Sequence, residues 1–208
     1  IFLTTKIWYE NLNPVEVRRV ADESLRKLQT DYVDLLLIHW PNPSVSLADT
    51  LSAMMALQDE GKTRHIGVSN FPVALLEEAL EGSYARLICD QVEYHPYLNQ
   101  GPVLAFLRNH DMMLTAYSPL GKGETAKDAT LQAIGEKYGK TSAQVVLRWL
   151  LDQNRVAAIP RTSNKQRCQQ NFEIFDFQLS EEHTRAIDAL QGDRRLINPS
   201  WAPAWDPA

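Results

Sequence analysis

The chain has 208 residues, of which 44% are hydrophobic and 23% are charged, and its net charge at pH 7 is −5. These values are typical of a globular protein that forms one large domain or two small ones. The acidic balance argues against a protein that binds nucleic acids or anionic membranes. No stretch approaches the roughly 18 consecutive apolar residues of a membrane-spanning helix, and no secretory leader pattern opens the sequence. We therefore expect a cytoplasmic protein.

One pattern repeats along the chain: a short apolar run ends in polar or aromatic residues, and a helical pattern follows. It predicts strands at residues 1–6, 32–39, 65–70, 87–96, 112–121 and 155–163. Helices are predicted at residues 14–28, 47–60, 72–81, 102–110, 129–138, 142–152, 165–171 and 180–190. Residues 192–208 are rich in Pro and Trp and predict a loop. Because no linker divides the chain, residues 1–208 are predicted to form a single domain.

The strands are continuous apolar runs, which are typical of a parallel sheet covered on both faces. Such a sheet is either an open, doubly wound sheet or a closed (β/α)₈ TIM barrel. Every predicted strand ends in polar or aromatic residues, and in a barrel all these ends meet at one mouth. An open sheet would have its site at a single crossover, and no G-x-G-x-x-G follows any strand. The barrel is favoured. Since a barrel has eight strands, this chain would supply about six of them.

The two cysteines, Cys89 and Cys168, lie far apart and show no CxxC or metal-finger spacing. They could form one disulfide, but free buried thiols in a reducing compartment are favoured. Metal hydrolase chemistry would need an H-x-H or a comparable ligand cluster at a strand end. The sequence contains none, so no metal site is predicted.

Six motifs occur in order with suitable spacing: "TTKIW", "DYVDLLLIHWP", "GVSNF", "DQVEYHPY", "YSPLG" and "IPRTSNKQRCQQNF". Together they make the chain resemble the aldo-keto reductases, which are NADPH-dependent carbonyl reductases with a (β/α)₈ barrel. The segment "DRRLINPSWAPAWD" is similar to the bacterial branch with 2,5-diketo-D-gluconate reductases and methylglyoxal reductases. The resemblance implies NADPH-dependent reduction of small aldehydes, ketones or dicarbonyls. Nothing in the sequence requires a second subunit, so we expect a monomer.

Lys6 and His39 end the first two predicted strands. A lone lysine there is usually solvated, and a lone histidine after a buried strand is usually structural. Inside matching motifs, however, Lys6 corresponds to the family lysine that lowers the pKa of a catalytic tyrosine. His39 corresponds to the histidine that orients the carbonyl group. By their position, Trp8, Trp40 and Trp201 are candidates for the apolar wall of a substrate pocket, with plugging of the barrel rim as the alternative.

The resemblance also implies a set of cofactor-binding residues. Ser69, Asn70 and Gln91 would hold the nicotinamide carboxamide, and Tyr117 would stack on the nicotinamide ring. Guanidinium groups match phosphate oxygens bidentately, which suits the 2′-phosphate of NADPH. The residues assigned to the pyrophosphate path, the 2′-phosphate and the adenine are Ser118 and Leu120; Arg161, Thr162 and Arg167; and Gln170 and Asn171, respectively.

The family's catalytic tyrosine and its aspartate precede the strand that ends in Lys6, and the printed sequence does not contain that segment. Tyr9 follows Lys6 in a loop and is not assigned the role of the acid. We expect the domain to be incomplete by its first two βα units. Six strands alone would leave two edges unpaired, and the 208 residues alone would be very weak catalysts. A non-catalytic NADPH-binding protein of the same fold and an inactive fragment remain as alternatives, which a turnover assay separates.

Overall fold

The computed structural model describes residues 1–81 and 85–207, which divide into two compact units. Unit 1 consists of Ile1–Gln91, Ala105–Met112 and Trp201–Asp206. Unit 2 consists mainly of Val92–Leu104 and Met113–Ser200. Each unit is described below by itself.

Within residues 1–81 and 85–207, six strands form one sheet in which the strand order follows the sequence. They are β1 (Thr4–Ile7), β2 (Val33–Ile38), β3 (Thr63–Ser69), β4 (Leu87–Glu93), β5 (Met113–Tyr117) and β6 (Val156–Ala158). The pairings β1–β2, β2–β3, β3–β4 and β5–β6 are all parallel. All residues of β2 are buried, as expected for a strand covered on both faces. The predicted parallel sheet is confirmed.

Among the described residues, eight α-helices follow or connect the strands. They are α1 (Pro14–Leu28), α2 (Leu47–Asp59), α3 (Val73–Glu81), α4 (Gly101–Asn109), α5 (Ala129–Tyr138), α6 (Ser142–Asp152), α7 (Lys165–Phe172) and α8 (Glu181–Asp188). Most of these helices have a polar N-cap residue; for example, Asn13 caps α1, and its Oδ1 accepts the Glu16 N–H at 3.1 Å. Two short 3₁₀ helices, at Tyr9–Asn11 and Gly121–Lys127, were not predicted.

Strands β5 and β6 are shorter than the sequence predicts. The apolar run at 155–163 predicts nine strand residues, but β6 ends at Ala158. Pro160 has no backbone N–H to donate to a neighbouring strand, which limits the pairing there. Arg161 and Thr162 therefore lie in a loop after the strand rather than in its last positions.

A tight cluster of Leu35, Leu37 and Cys89 forms part of the core of unit 1. Gly67 on β3 packs against this cluster so closely that a Cβ atom there would lie 2.8 Å from the Cys89 carbonyl oxygen. Only glycine fits this strand approach without a shift of backbone. Cys89 is buried as predicted, but the predicted burial of Cys168 is wrong. It lies on α7, a helix that buries none of its residues, and neither cysteine forms a disulfide.

Neither a membrane span nor a metal cluster is found within residues 1–81 and 85–207. No helix in these ranges combines the length and apolarity needed to cross a bilayer. The same residues contain no group of three or more His, Cys, Asp and Glu side chains that could hold a metal ion.

Candidate active site

Lys6 and His39 lie side by side at the carboxyl ends of β1 and β2 in unit 1. Lys6 pairs with Leu37 in the parallel ladder. The backbone N–H of His39 then donates to the Ile7 carbonyl at 2.9 Å, which extends the pairing one residue beyond β2. The register of two buried strands thus fixes both side chains at one edge of the sheet.

Burial controls the charge of these two groups. It lowers the pKa of Lys6, and the nearby Cys89 thiol offsets part of that effect. Burial, with the Lys6 charge as a second cause, lowers the pKa of His39 to about 4. The imidazole is therefore neutral at pH 7 and can exchange hydrogen bonds with a ligand without carrying a charge. Within the described residues, no carboxylate forms an ion pair with Lys6.

A hydrogen-bond network links the ends of β2, β3 and β4. Ser69 Oγ donates to the Gln91 carbonyl at 2.6 Å. Asn70 Nδ2 donates to the His39 carbonyl at 2.9 Å and to Ser69 Oγ at 3.1 Å. Asn70 has a φ of 65°, a left-handed conformation that Asn adopts more readily than most residues. The Gln91 side-chain amide has no hydrogen-bond partner among the described residues, which leaves it available to a ligand.

An aromatic cluster lies beside His39 in unit 1. The Trp8 ring meets the His39 ring edge to face at 5.0 Å, and Trp201 lies 6.0 Å from Trp8 and 4.6 Å from Tyr9. Trp40 is buried and supports Trp201 at 5.2 Å. Trp8 and Trp201 keep 41% and 38% of their surface exposed. Of the three tryptophans chosen from the sequence, these two present open faces and Trp40 lies behind one of them.

Unit 2 contains a cavity of about 930 Å³ between the loops after β5 and β6, the start of α6 and one side of α7. The described residues that line it include seven of those chosen from the sequence for the cofactor. These seven are Ser118, Leu120, Arg161, Thr162, Arg167, Gln170 and Asn171. Tyr117 ends β5 and directly precedes Ser118, the first of the seven along the chain, but does not itself line the cavity.

The cavity is cationic. Within the described part of the chain, the guanidinium groups of Arg161 and Arg167 form no ion pair. Lys122 also lines the cavity and donates only a long hydrogen bond of 3.4 Å to the Leu196 carbonyl. Lys140 is different, because its ammonium lies 2.7 Å from an oxygen of Asp176. Two exposed, unpaired guanidinium groups suit an anionic ligand such as a phosphate.

Several lining residues were missed by the sequence reasoning, among them Lys122, Thr141 and Ser142. Thr141 caps α6 in a reciprocal capping box with Gln144, so the amino end of this helix faces the cavity. The T-x-x-Q pattern at 141–144 is a recognisable helix-start signal, and helix starts favour anions. That pattern could have identified Thr141 and Ser142, whereas Lys122 lies in a 3₁₀ segment that no pattern predicted.

His95, the other histidine in a motif, has a structural environment. It is fully buried in unit 2, and its Nε2 lies 2.9 Å from Glu93 Oε1. Glu93 also accepts the backbone N–H groups of Leu196 and Ile197 at 2.7 and 2.8 Å. These hydrogen bonds lie within the fold itself, so the arrangement is typical of a structural histidine.

Comparison with known proteins agrees with the motifs. A family model described as "Aldo/keto reductase family" matches residues 1–191. "Methylglyoxal reductase DkgB" of Escherichia coli O157:H7 is 39% identical over 210 residues, which cover 99% of this chain and 78% of that protein. "Glyoxal reductase" of Bacillus subtilis (strain 168) is 41% identical over 196 residues, which cover 94% of this chain and 70% of that protein. A crystal structure provisionally assigned as a 2,5-diketo-D-gluconic acid reductase B superimposes with a TM-score of 0.97 at 45% identity, covering 99% and 74%.

Proposed function

Because this chain belongs to the aldo/keto reductase family, we propose that it reduces small aldehydes, ketones or dicarbonyls to alcohols with NADPH as cofactor. Its six parallel strands are strands of the family's (β/α)₈ barrel. Methylglyoxal and glyoxal, after which two similar reductases are named, are the first substrates to test. A 2,5-diketo-D-gluconate is the third.

One observation carries the choice of NADPH. The unpaired guanidinium groups of Arg161 and Arg167 line the same cavity as the other residues chosen for the adenosine end. The 2′-phosphate of NADPH is a dianion that these guanidinium groups can bind bidentately, whereas the ribose of NADH has only a hydroxyl group at that position. Gln170 and Asn171, at the end of α7, would face the adenine.

The unit 1 residues would act on the reacting groups. NADPH, when bound, supplies a hydride to the carbonyl carbon. Neutral His39 would donate a hydrogen bond to the carbonyl oxygen and orient it. Ser69, Asn70 and Gln91 would hold the nicotinamide carboxamide, for which the free Gln91 amide is well suited. Tyr117 would stack on the nicotinamide ring, as the family resemblance implies.

Proton supply is the remaining requirement of carbonyl reduction. By resemblance, the acid would be a tyrosine, and no residue of the printed sequence is assigned this role. Lys6 would favour the ionised phenol, because a nearby ammonium stabilises the negative charge and so lowers the pKa of the tyrosine. Trp8 and Trp201 would border the pocket with aromatic faces, which suits small and partly apolar carbonyl compounds.

The test is oxidation of NADPH by the complete gene product with methylglyoxal, glyoxal and an aromatic aldehyde, and the same assays with NADH. We expect turnover with NADPH and a much higher KM for NADH. Tight NADPH binding without turnover would favour a non-catalytic NADPH-binding protein instead. Absence of NADPH binding would contradict both.

A further inference from the structure

The segment 201–206, which we call the strap, returns to unit 1 and covers its aromatic cluster. Trp201 contacts Trp8, Tyr9 and Trp40, with centroid distances of 6.0, 4.6 and 5.2 Å. Trp205 also contacts Trp40, with a centroid distance of 6.0 Å. The Trp8 ring in turn lies 5.0 Å from His39, so Trp201 packs against a side chain that borders the imidazole.

The strap is anchored at Asp206. Its two carboxylate oxygens accept the backbone N–H of Val73 at 3.0 and 3.2 Å. Val73 is the first residue of α3, where N–H groups lack partners within the helix. A carboxylate is favoured at such a helix start, because the helix dipole is positive there. A contact across 133 positions of the sequence therefore both caps α3 and fixes the end of the strap.

A second carboxyl group, Asp90 on β4, lies close to this anchor and is fully buried. Burial raises the pKa of Asp90 well above its ordinary value, and the Asp206 charge adds to the rise. The Phe71 backbone offsets only part of it and is not placed for a hydrogen bond of ordinary geometry. Burial therefore favours the protonated form of Asp90, which does not repel the carboxylate of Asp206 as an ionised form would.

From these contacts we propose that Asp206 is a positioning residue for the substrate pocket, an inference that rests on the proposed reductase function. By tying the strap to α3, Asp206 holds Trp201 against Trp8 and so shapes the pocket beside His39. Within the described residues, the Asp206 carboxylate donates or accepts no hydrogen bond with any residue assigned to NADPH, and its bonds go to Val73. Its loss should therefore raise the KM for the carbonyl substrate and leave the KM for NADPH unchanged.

The experiment compares Asp206→Ala and Asp206→Asn with Asn13→Ala in the complete gene product. Asn13 is a matched control, because it caps α1 in the same unit by accepting one backbone N–H at 3.1 Å, and within the described residues it forms no hydrogen bond with the strap. We expect Asp206→Ala and Asn13→Ala to lower the melting temperature similarly. Only Asp206→Ala should raise the KM for methylglyoxal, by about tenfold, which is the lower end of what a charged hydrogen bond contributes. Asp206→Asn, which keeps one acceptor oxygen, should fall between Asp206→Ala and the parent.

Acrylamide quenching of tryptophan fluorescence reports on the strap without any turnover. It should increase in Asp206→Ala, since Trp201 and Trp205 lose their fixed packing, and stay at the parent value in Asn13→Ala. An unchanged KM for methylglyoxal, or equal rises in the KM values for substrate and NADPH, would overturn the positioning role. If the parent protein shows no turnover at all, the proposed function fails. The quenching then tests whether Asp206 anchors the strap. An increase in Asp206→Ala supports the anchor, and no change overturns it.

Discussion

The strand-end site of unit 1 and the cavity of unit 2 use opposite means to prepare for a ligand. In unit 1, buried strand ends carry the polar groups, and burial shifts the pKa values of Lys6 and His39. In unit 2, loops and helix starts carry Arg161 and Arg167, which are exposed. A group that needs a shifted pKa must lie in a site from which water is largely excluded, because desolvation is what shifts the pKa. A group that must only attract a phosphate can stay in water, because its charge is already present.

Lys6→Met removes the lysine charge from the strand-end site of unit 1 and should have the largest effect on activity. We expect kcat to fall by about 10²–10⁴-fold, the range typical of lost acid–base assistance. The KM for NADPH should not change. Lys27→Met is the matched control, since Lys27 pairs with Glu23 on the exposed face of α1. A kcat equal to that of the parent would contradict the role assigned to Lys6.

Arg167→Ala tests the exposed arginines of the unit 2 cavity. The KM for NADPH should rise by about 10–100-fold, which corresponds to the loss of one charged hydrogen bond, while the KM for NADH stays the same. Arg185→Ala provides the comparison, because Arg185 lies on α8 and pairs with Glu181 at 2.7 Å. Equal rises for both cofactors would show that Arg167 does not bind the 2′-phosphate.

Asp90→Asn tests the effect of burial in unit 1 through the pH dependence of folding stability. The pKa of Asp90 in the folded chain lies above its unfolded value of 3.8, so the folded state keeps a proton that the unfolded state releases. The contribution of Asp90 to stability is therefore complete below pH 3.8 and is lost as the pH rises toward the folded pKa. Asp90→Asn should lose less stability than the parent between pH 5 and pH 8 in urea unfolding. The two pH profiles would run parallel if Asp90 were ionised in the fold.

His39→Asn should give the smallest effect, again through pH. The folded pKa of about 4 lies below the unfolded value of 6.5, so only the unfolded chain gains a proton between these values. Stability from His39 is thus complete above pH 6.5 and is lost as the pH falls toward 4. The parent should lose slightly more stability than His39→Asn on going from pH 7 to pH 5, with the difference reduced by solvent screening of the half-exposed ring. Imidazole shifts in NMR that titrate near pH 6.5 would contradict the low pKa.

Much of the fold was predictable because its signals are local. Asn13 with Pro14, Asp128 and Thr141 mark the starts of α1, α5 and α6, and these three helices have the predicted bounds. The ends of β5 and β6 were not predictable from their apolar runs. Continued pairing depends on a neighbouring strand as well as on hydrophobicity, and the sequence does not show where the neighbour ends.

The candidate site divides in the same way. The strand-end positions of Lys6 and His39, and the cofactor residues around "IPRTSNKQRCQQNF", could be chosen from motifs before any coordinates. Their roles stay predictions until activity and binding are measured. The exposure of Cys168, the burial of Trp40 behind Trp201 and the contribution of Thr141 to the cavity could not be chosen, since each depends on segments distant in sequence.

By itself, the sequence determined the parallel strands, most helix starts and the residue types that a carbonyl reductase places at strand ends, because these follow from periodicity, capping and short motifs. Only the tertiary structure decided the neutral state of His39, the buried acid at Asp90 and the anchor between Asp206 and Val73. A pKa depends on how many atoms exclude water from a group, and a cap from a distant residue depends on where the chain returns. Neither quantity is a property of neighbouring residues in the sequence.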